Sequence, residues 1–365
     1  MLHNNDLQVV KLCPLWVAPN LLTFVGFICC FGHFGLLALY DYNFRAATEL
    51  ASPDPGQDHV PSWAWVAVAL LLFLAHTLDG IDGKQARRTG TSTPLGELFD
   101  HGLDSWSTIF ITGAIYSMFG RNDDNLSISP FRMFCLFWNV YVCFLVSHWE
   151  KYNTGVLYLP WGYDFSMITS FLMYLTTAVT GTGLWKTSLP GGFYPAQFLE
   201  LGCYLGNIGF TLPVALYNIR KSYQDVSISP QSPHRTLTNI FQGSGKGRSF
   251  VEATRPLVST LIAMLLFFIW VCWSPNKVLD LDPRCMFFLT GTVFANICCK
   301  LIIAQMSNTR SELFSVILLP TVLTVVLVLA VPGLSQSAEL MVMYGLTGLS
   351  PLNTVPILTL PSQLW

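Results

Sequence analysis

Residues 62–119 read SWAWVAVALLLFLAHTLDGIDGKQARRTGTSTPLGELFDHGLDSWSTIFITGAIYSMF. Both ends of this stretch are apolar, and its middle holds Asp79, Asp82, Lys84, Arg87, Arg88, Glu97, Asp100, His101 and Asp104. A helical run of about 20 apolar residues crosses about 30 Å of hydrocarbon. Two such runs are joined through the turn signal Thr91-Ser92-Thr93-Pro94, and the second helix is expected to start near Leu95. The short connection predicts antiparallel neighbours. The fold class that follows is all-α, a polytopic integral membrane helical bundle.

Composition extends this reading to the whole chain. Of its residues 52% are hydrophobic and 11% charged, and the mean hydropathy is +0.49, whereas a soluble domain carries about 25% charge. Nine spans are expected near 20–40, 62–82, 98–119, 131–148, 165–185, 196–218, 256–273, 285–306 and 312–331, with a tenth at 337–349 that Ser350-Pro351 cuts short. Trp63, Trp65, Trp138 and Trp149 are expected as interfacial anchors. A net charge of −2 gives no argument for a nucleic-acid partner, and none is expected.

Basic residues set the orientation. Loop 83–97 holds Lys84, Arg87 and Arg88, and loop 219–255 holds Arg220, Lys221, Arg235, Lys246, Arg248 and Arg255. Loop 41–61 has Arg45 alone against Asp41, Glu49, Asp54 and Asp58. The acidic run is therefore expected on the cytosolic side. The ten cysteines show no metal-ligand or redox spacing and read as packing residues. No cleavable signal peptide is evident, so the first span is expected to serve as the address. Asn125-Leu126-Ser127 is a glycosylation acceptor motif in a loop expected on the lumenal side.

Helical spacing then arranges the charges. Asp79, Asp82, Gly83 and Ala86 are related as i, i+3, i+4 and i+7, and so are Glu97, Asp100, His101 and Asp104. Each set shares one face. Like charges this close repel unless a cation lies between them, and carboxylates near a bilayer are costly, so four in one place point to a functional site. Salt bridges to Lys84, Arg87 and Arg88 explain one or two acids, not four. Asp79, Asp82, Asp100 and Asp104 are therefore assigned as ligands of Mg²⁺ or Mn²⁺, and four carboxylates suit two ions. Gly83 and Ala86 leave room for a bulky ligand, and Arg87 lies within reach of a phosphate on that face. His101, with Glu97 one turn earlier to orient it, is the candidate general base. An aromatic prenyltransferase also sets acids around Mg²⁺ but uses another spacing, and a cation transporter distributes its acids along a path.

The run Asp79-x-x-Asp82-Gly83-x-x-Ala86-Arg87, eight residues, then Gly96-x-x-x-Asp100-x-x-x-Asp104 resembles the signature of the CDP-alcohol phosphatidyltransferases. The resemblance implies transfer of a phospho-alcohol from a CDP-alcohol to a lipid hydroxyl with release of CMP. It also implies that the four Asp–metal contacts bridge the pyrophosphate and that Gly83, Ala86, Arg87 and Gly96 border the substrate. Asn20 and Thr23 match a family segment near the nucleotide, with helix capping as the other reading. In the wider family Asp104 competes with His101 as the base.

Beyond the signature, WVAPNLLTF at 16–24, SHWEKYNTG at 147–155 and LPWGYD at 159–164 resemble the eukaryotic ethanolamine phosphotransferase branch, selenoprotein I type. That implies CDP-ethanolamine and diacylglycerol, or an ether-lipid analogue, as substrates and phosphatidylethanolamine as product. It further implies a homodimer among membrane lipids in the endoplasmic reticulum or Golgi. A choline or dual-specificity enzyme is the alternative. Glu150, Lys151, Tyr152 and Asn153 are expected in a cytosolic loop that helps close the alcohol pocket.

Residues 1–348 form the expected membrane domain, with a catalytic core at about 16–155 and a Ser/Gly/Pro-rich disordered cytosolic insertion at about 222–250. Residues 349–365 are expected to diverge from the family, and the N-terminal segment to be shorter than in the proteins it resembles. Altered ends and insertion raise a third reading, a catalytically silent variant that pairs with a full-length enzyme.

Overall fold

The computed structural model describes residues 9–48, 60–122, 125–158, 162–228 and 248–359. Among these, the backbone is helical apart from turns and a single β-bridge between Leu189 and Phe193. The helices are α1 (Pro19–Tyr40), α2 (Ser62–Thr89), α3 (Pro94–Phe119), α4 (Pro130–Thr154), α5 (Gly162–Thr180), α6 (Pro195–Tyr204) and α7 (Leu212–Ile228). They continue with α8 (Phe250–Trp273), α9 (Val278–Leu281), α10 (Pro283–Met306), α11 (Leu318–Ala330) and α12 (Gln336–Thr359). Among the described residues, six apolar helical segments are long enough to cross a membrane: α1, α2, α4, the run Pro195–Gln224, α8 and α10. The chain is thus a multi-pass helical membrane protein. α3 meets the length but carries Glu97, Asp100 and Asp104 near its start.

The fold divides into two compact units. The first contains residues 1–137, 161–201 and 282–287. In it α1 packs against both α2 and α3, and α2 packs against α5. Helices α2 and α3 are not closely packed along their lengths, so the expected neighbours meet at their acidic ends only. Their short connection brings their acidic ends together, and α1 fills the space they leave. Phe110 of α3 meets Phe27, Phe31 and Phe34 of α1 with ring centroids 5.5–5.7 Å apart. Gly113 permits the contact, because a Cβ there would stand 2.6 Å from the Phe34 ring. Gly113→Leu is expected to cost about 1–3 kcal/mol through overpacking, read as a lower melting temperature of the detergent-solubilised protein. Asn125 of the acceptor motif is exposed, whereas its Ser127 is buried under the Lys186 ammonium at 2.6 Å.

The second unit holds residues 138–160, 202–281 and 288–365. Here α4 and the segment continuing from α6 through a π-helical turn at Leu205–Thr211 into α7 are joined by polar rungs. Asn207 donates to the Asn139 carbonyl and carboxamide at 3.0 Å, Cys143 reaches Thr211 at 3.6 Å, and Asn218 donates to Glu150 at 2.7 Å. A constant offset in residue number means that the two helices run parallel. Lipid offers no hydrophobic drive for helix association, so such rungs hold a helix whose apolar residues are largely exposed.

Several expectations change. Residues 150–153 belong to α4, not to a loop. Trp149 Nε1 and Asn153 Nδ2 donate to the Ala253 carbonyl at 2.6 and 3.3 Å, and Arg248 lies 3.9 Å over the Tyr152 ring. Buried partners thus extend the helix beyond its apolar run. Trp65, Trp138 and Trp149 are buried rather than interfacial, and Trp63 alone of the four is exposed. The last helix passes through Ser350-Pro351 to Thr359, with Ser350 Oγ donating to the Leu346 carbonyl at 2.8 Å. Of the expected insertion, residues 229–247 lie outside the described residues, while α7 extends to Ile228 and α8 begins at Phe250.

Candidate active site

The site is built where α2 ends and α3 begins, within the first unit. Gly90 closes α2 in the left-handed region at φ 69°, donating to the Ala86 and Arg87 carbonyls, a stop that suits glycine. Thr93 then caps α3, its hydroxyl accepting from the Gly96 amide at 3.1 Å, and Pro94 fills the first helical position. These two caps bring the acid stripes to one place. Oxygens of Asp79, Asp82 and Asp100 lie within 4.8 Å of one another. So do ligand atoms of Asp100, His101 and Asp104. The groups share Asp100.

This donor set fits a divalent cation. An octahedral ion with oxygens at about 2.1 Å holds them no more than about 4.2 Å apart, so small side-chain rotations close either group. Hard carboxylate oxygens suit Mg²⁺, Mn²⁺ or Ca²⁺ rather than a thiophilic metal.

Neighbouring groups define each acid. Thr23 Oγ1 on α1 donates to Asp82 Oδ2 at 2.5 Å, and the Gly83 amide donates to the other oxygen. Tyr163 at the start of α5 donates its hydroxyl to Asp79 Oδ2 at 3.2 Å. His101 Nδ1 lies 3.4 Å from Asp104 Oδ2 and 4.0 Å from Asp100 Oδ2. Glu97 stands on the first turn of α3. Lys84 donates to the Gly80 carbonyl at 2.8 Å, and Arg88 to the carbonyls of Val10 and Cys13 at 2.6 and 2.7 Å. Gln85 adds a bond to the Pro14 carbonyl at 2.9 Å, so the polar end of α2 docks the segment before α1.

The other assigned residues fall into two places. Arg87 is exposed, and a Cβ on Gly83 would stand 3.8 Å from its guanidinium, so that group leans back over the glycine. Ala86 lies on the same face, half-buried. Asn20 sits beside Gly96, whose added Cβ would meet its Oδ1 at 3.3 Å. The cap of α1 is Ala18, with no side-chain bond, so Asn20 is not a helix cap.

Between the four helices a cleft of about 340 Å³, part of it open to solvent, has Thr23, Asp79, Asp104 and Tyr163 on its polar side. Gly26, Phe27, Ile111 and Met167 give it an apolar floor. Tyr163 escaped the reading of the sequence, since nothing in its spacing ties it to Asp79. His76 of α2 faces Asp164 at 3.7 Å.

The acids, the cleft and their signature spacing all lie within residues 16–189, the part of the chain that matches the family described as CDP-alcohol phosphatidyltransferase. Over 342 residues the chain is 42% identical to Ethanolaminephosphotransferase 1 of Homo sapiens, covering 93% of this chain and 79% of the relative. The chain belongs to the CDP-alcohol phosphatidyltransferase family. It is an enzyme of the CDP-alcohol phosphotransferase class. Identity to Ethanolaminephosphotransferase 1 of Mus musculus is 43% over the same shares. Cholinephosphotransferase 1 of Danio rerio is 34% identical over 84% of this chain and 71% of its own length.

Proposed function

We propose that this chain transfers phosphoethanolamine from CDP-ethanolamine to the free hydroxyl of diacylglycerol, or of an alkyl- or alkenyl-acyl analogue. The products are phosphatidylethanolamine and CMP. The carrying observation is the cleft that sets one member of each acid group, Asp79 and Asp104, over an apolar floor, the two groups being joined through Asp100. That combination suits a charged pyrophosphate meeting a lipid alcohol. Higher identity to the ethanolamine relatives than to the choline relative supports the head group.

In this reading Asp79, Asp82, Asp100 and Asp104 hold one or two Mg²⁺ or Mn²⁺ ions. When bound, these supply the positive charge that a pyrophosphate and a departing CMP require. Gly83 and Ala86 leave space for the nucleotide to approach the backbone, Gly96 lets Asn20 of α1 come close and reach it, and Arg87 adds a charge-assisted bond to phosphate. The lipid oxygen forms its bond to the phosphorus that carries ethanolamine as the bond to the CMP oxygen breaks. His101, held by Asp104 and polarised by Glu97, takes the lipid proton. Asp104 is the competing acceptor for it. The Lys and Arg of loops 83–97 and 219–255 support a cytosolic face for the site, and the reading takes the enzyme to be a homodimer in the membrane of the endoplasmic reticulum or Golgi.

The test is CMP release and labelled lipid formation by the purified chain in detergent–lipid micelles with diacylglycerol and Mn²⁺ or Mg²⁺. Metal-dependent phosphatidylethanolamine formation is expected, with kcat/KM at least about tenfold above that for CDP-choline, as one set of polar contacts can provide. Equal or faster turnover of CDP-choline would establish the choline or dual-specificity reading. A folded chain that binds CDP-ethanolamine without turnover would be the silent partner.

A further inference from the structure

We infer that Tyr163 and Thr23 are positioning residues. Their hydroxyls, reaching in from α5 and α1, fix the rotation of the Asp79 and Asp82 carboxylates toward the shared Asp100. The inference rests on the reading of these acids as a divalent-cation site. A helix sets only where each Cβ stands, and the terminal torsion of an aspartate is broad, so its oxygens need outside partners to hold one orientation. The two α2 acids have such partners on separate elements, at 3.2 Å from Tyr163 and 2.5 Å from Thr23. The choice of donor matters. A lysine or arginine would neutralise the carboxylate and compete with a cation, whereas a hydroxyl orients one oxygen and leaves the charge in place.

Both donors are themselves held. The Tyr163 ring lies edge-on against His76 with centroids 5.6 Å apart, and Ser166 Oγ donates to the Tyr163 carbonyl at 2.7 Å. His76 in turn faces Asp164 at 3.7 Å, which ties the first turn of α5 to α2. Thr23 is buried, one turn along α1 from Pro19. Its hydroxyl also lies 3.3 Å from the Pro19 carbonyl, but it has one proton, and the 2.5 Å contact to Asp82 takes it. Three helices therefore meet at one pair of carboxylates. On α3 the partner is His101, so the two acid groups are oriented by different chemistry.

Mn²⁺ binding to the full chain in detergent–lipid micelles, followed without substrates by loss of the free-ion paramagnetic resonance signal, tests this directly. Tyr163→Phe and Thr23→Val are each expected to weaken Mn²⁺ binding by about tenfold, the low end for removing a partner that orients a ligand. Thr23→Ser restores the hydroxyl and is expected to restore binding to within about twofold of the unsubstituted chain. The Mn²⁺-induced rise in melting temperature should shrink in step, with the metal-free melting temperature unchanged. Turnover at saturating Mn²⁺ should largely recover.

If Tyr163→Phe and Thr23→Val bind Mn²⁺ as the unsubstituted chain does while Asp100→Asn does not, the cation site stands and this inference falls. If Asp100→Asn binds Mn²⁺ undiminished, the site reading falls and takes the inference with it. A lower metal-free melting temperature in both variants, with turnover lost at every Mn²⁺ concentration, would assign the two residues a structural role and overturn it.

Discussion

Asp100→Asn is expected to reduce turnover by about a thousandfold or more, a larger loss than that of Asp79→Asn or Asp82→Asn. Asp100 belongs to both acid groups, whereas Asp79 and Asp82 belong to one and Asp104 to the other. Asparagine keeps the shape and one carbonyl oxygen, so α3 should fold as before. The charge disappears from both groups at once. Each factor of ten in rate corresponds to about 1.36 kcal/mol, so a thousandfold asks for about 4 kcal/mol. Losing one anionic ligand beside a reacting pyrophosphate accounts for that amount. Asp79→Asn weakens a single group and is expected to cost about a hundredfold, partly recovered as Mn²⁺ is raised. Initial rates of CMP release across a Mn²⁺ titration separate the two cases. If Asp100→Asn keeps more than about a tenth of the rate, a loss under 1.4 kcal/mol, Asp100 is not a shared ligand.

What the sequence made legible was local. The acid stripes lie within single helices, so their spacing displays the shared faces directly, and Gly90 and Thr93 mark the turn between them. Convergence of Asp79, Asp82, Asp100 and Asp104 follows from the short connection. The connection did not disclose that α1 packs against both α2 and α3, or that these helices and α5 line a common cleft. Nor does spacing reveal partners supplied from elsewhere in the chain. Tyr163 lies 84 residues from Asp79 and Thr23 lies 59 from Asp82, and both depend on how α5 and α1 pack. The charged residues of 150–153 misled for a related reason. Glu150 and Lys151 end the apolar run, yet Asn218, Tyr223 and the Ala253 carbonyl satisfy the polar groups of this turn and let α4 continue to Thr154. Hydropathy reports where a helix stops being greasy, and tertiary hydrogen bonds decide where it stops.

His101→Ala is expected to lower turnover by about a hundred- to ten-thousandfold, the range for losing a positioned general base. The histidine stands among the acids with Nδ1 3.4 Å from Asp104, so it can act either as a base or as a cation ligand, and the two roles fail differently. A ligand defect weakens Mn²⁺ binding and recovers as the ion is raised. A base defect leaves the Mn²⁺ dependence alone and persists at saturation, because no concentration of metal replaces the group that takes the lipid proton. The expected result is the second pattern, with CDP-ethanolamine binding retained. Asp104→Asn should show both defects, since Asp104 is a member of the acid group and also the contact that holds His101. Should His101→Ala keep its rate to within about tenfold while Asp104→Asn is inactive at every Mn²⁺ concentration, the base is Asp104. His101 would then serve to hold that carboxylate.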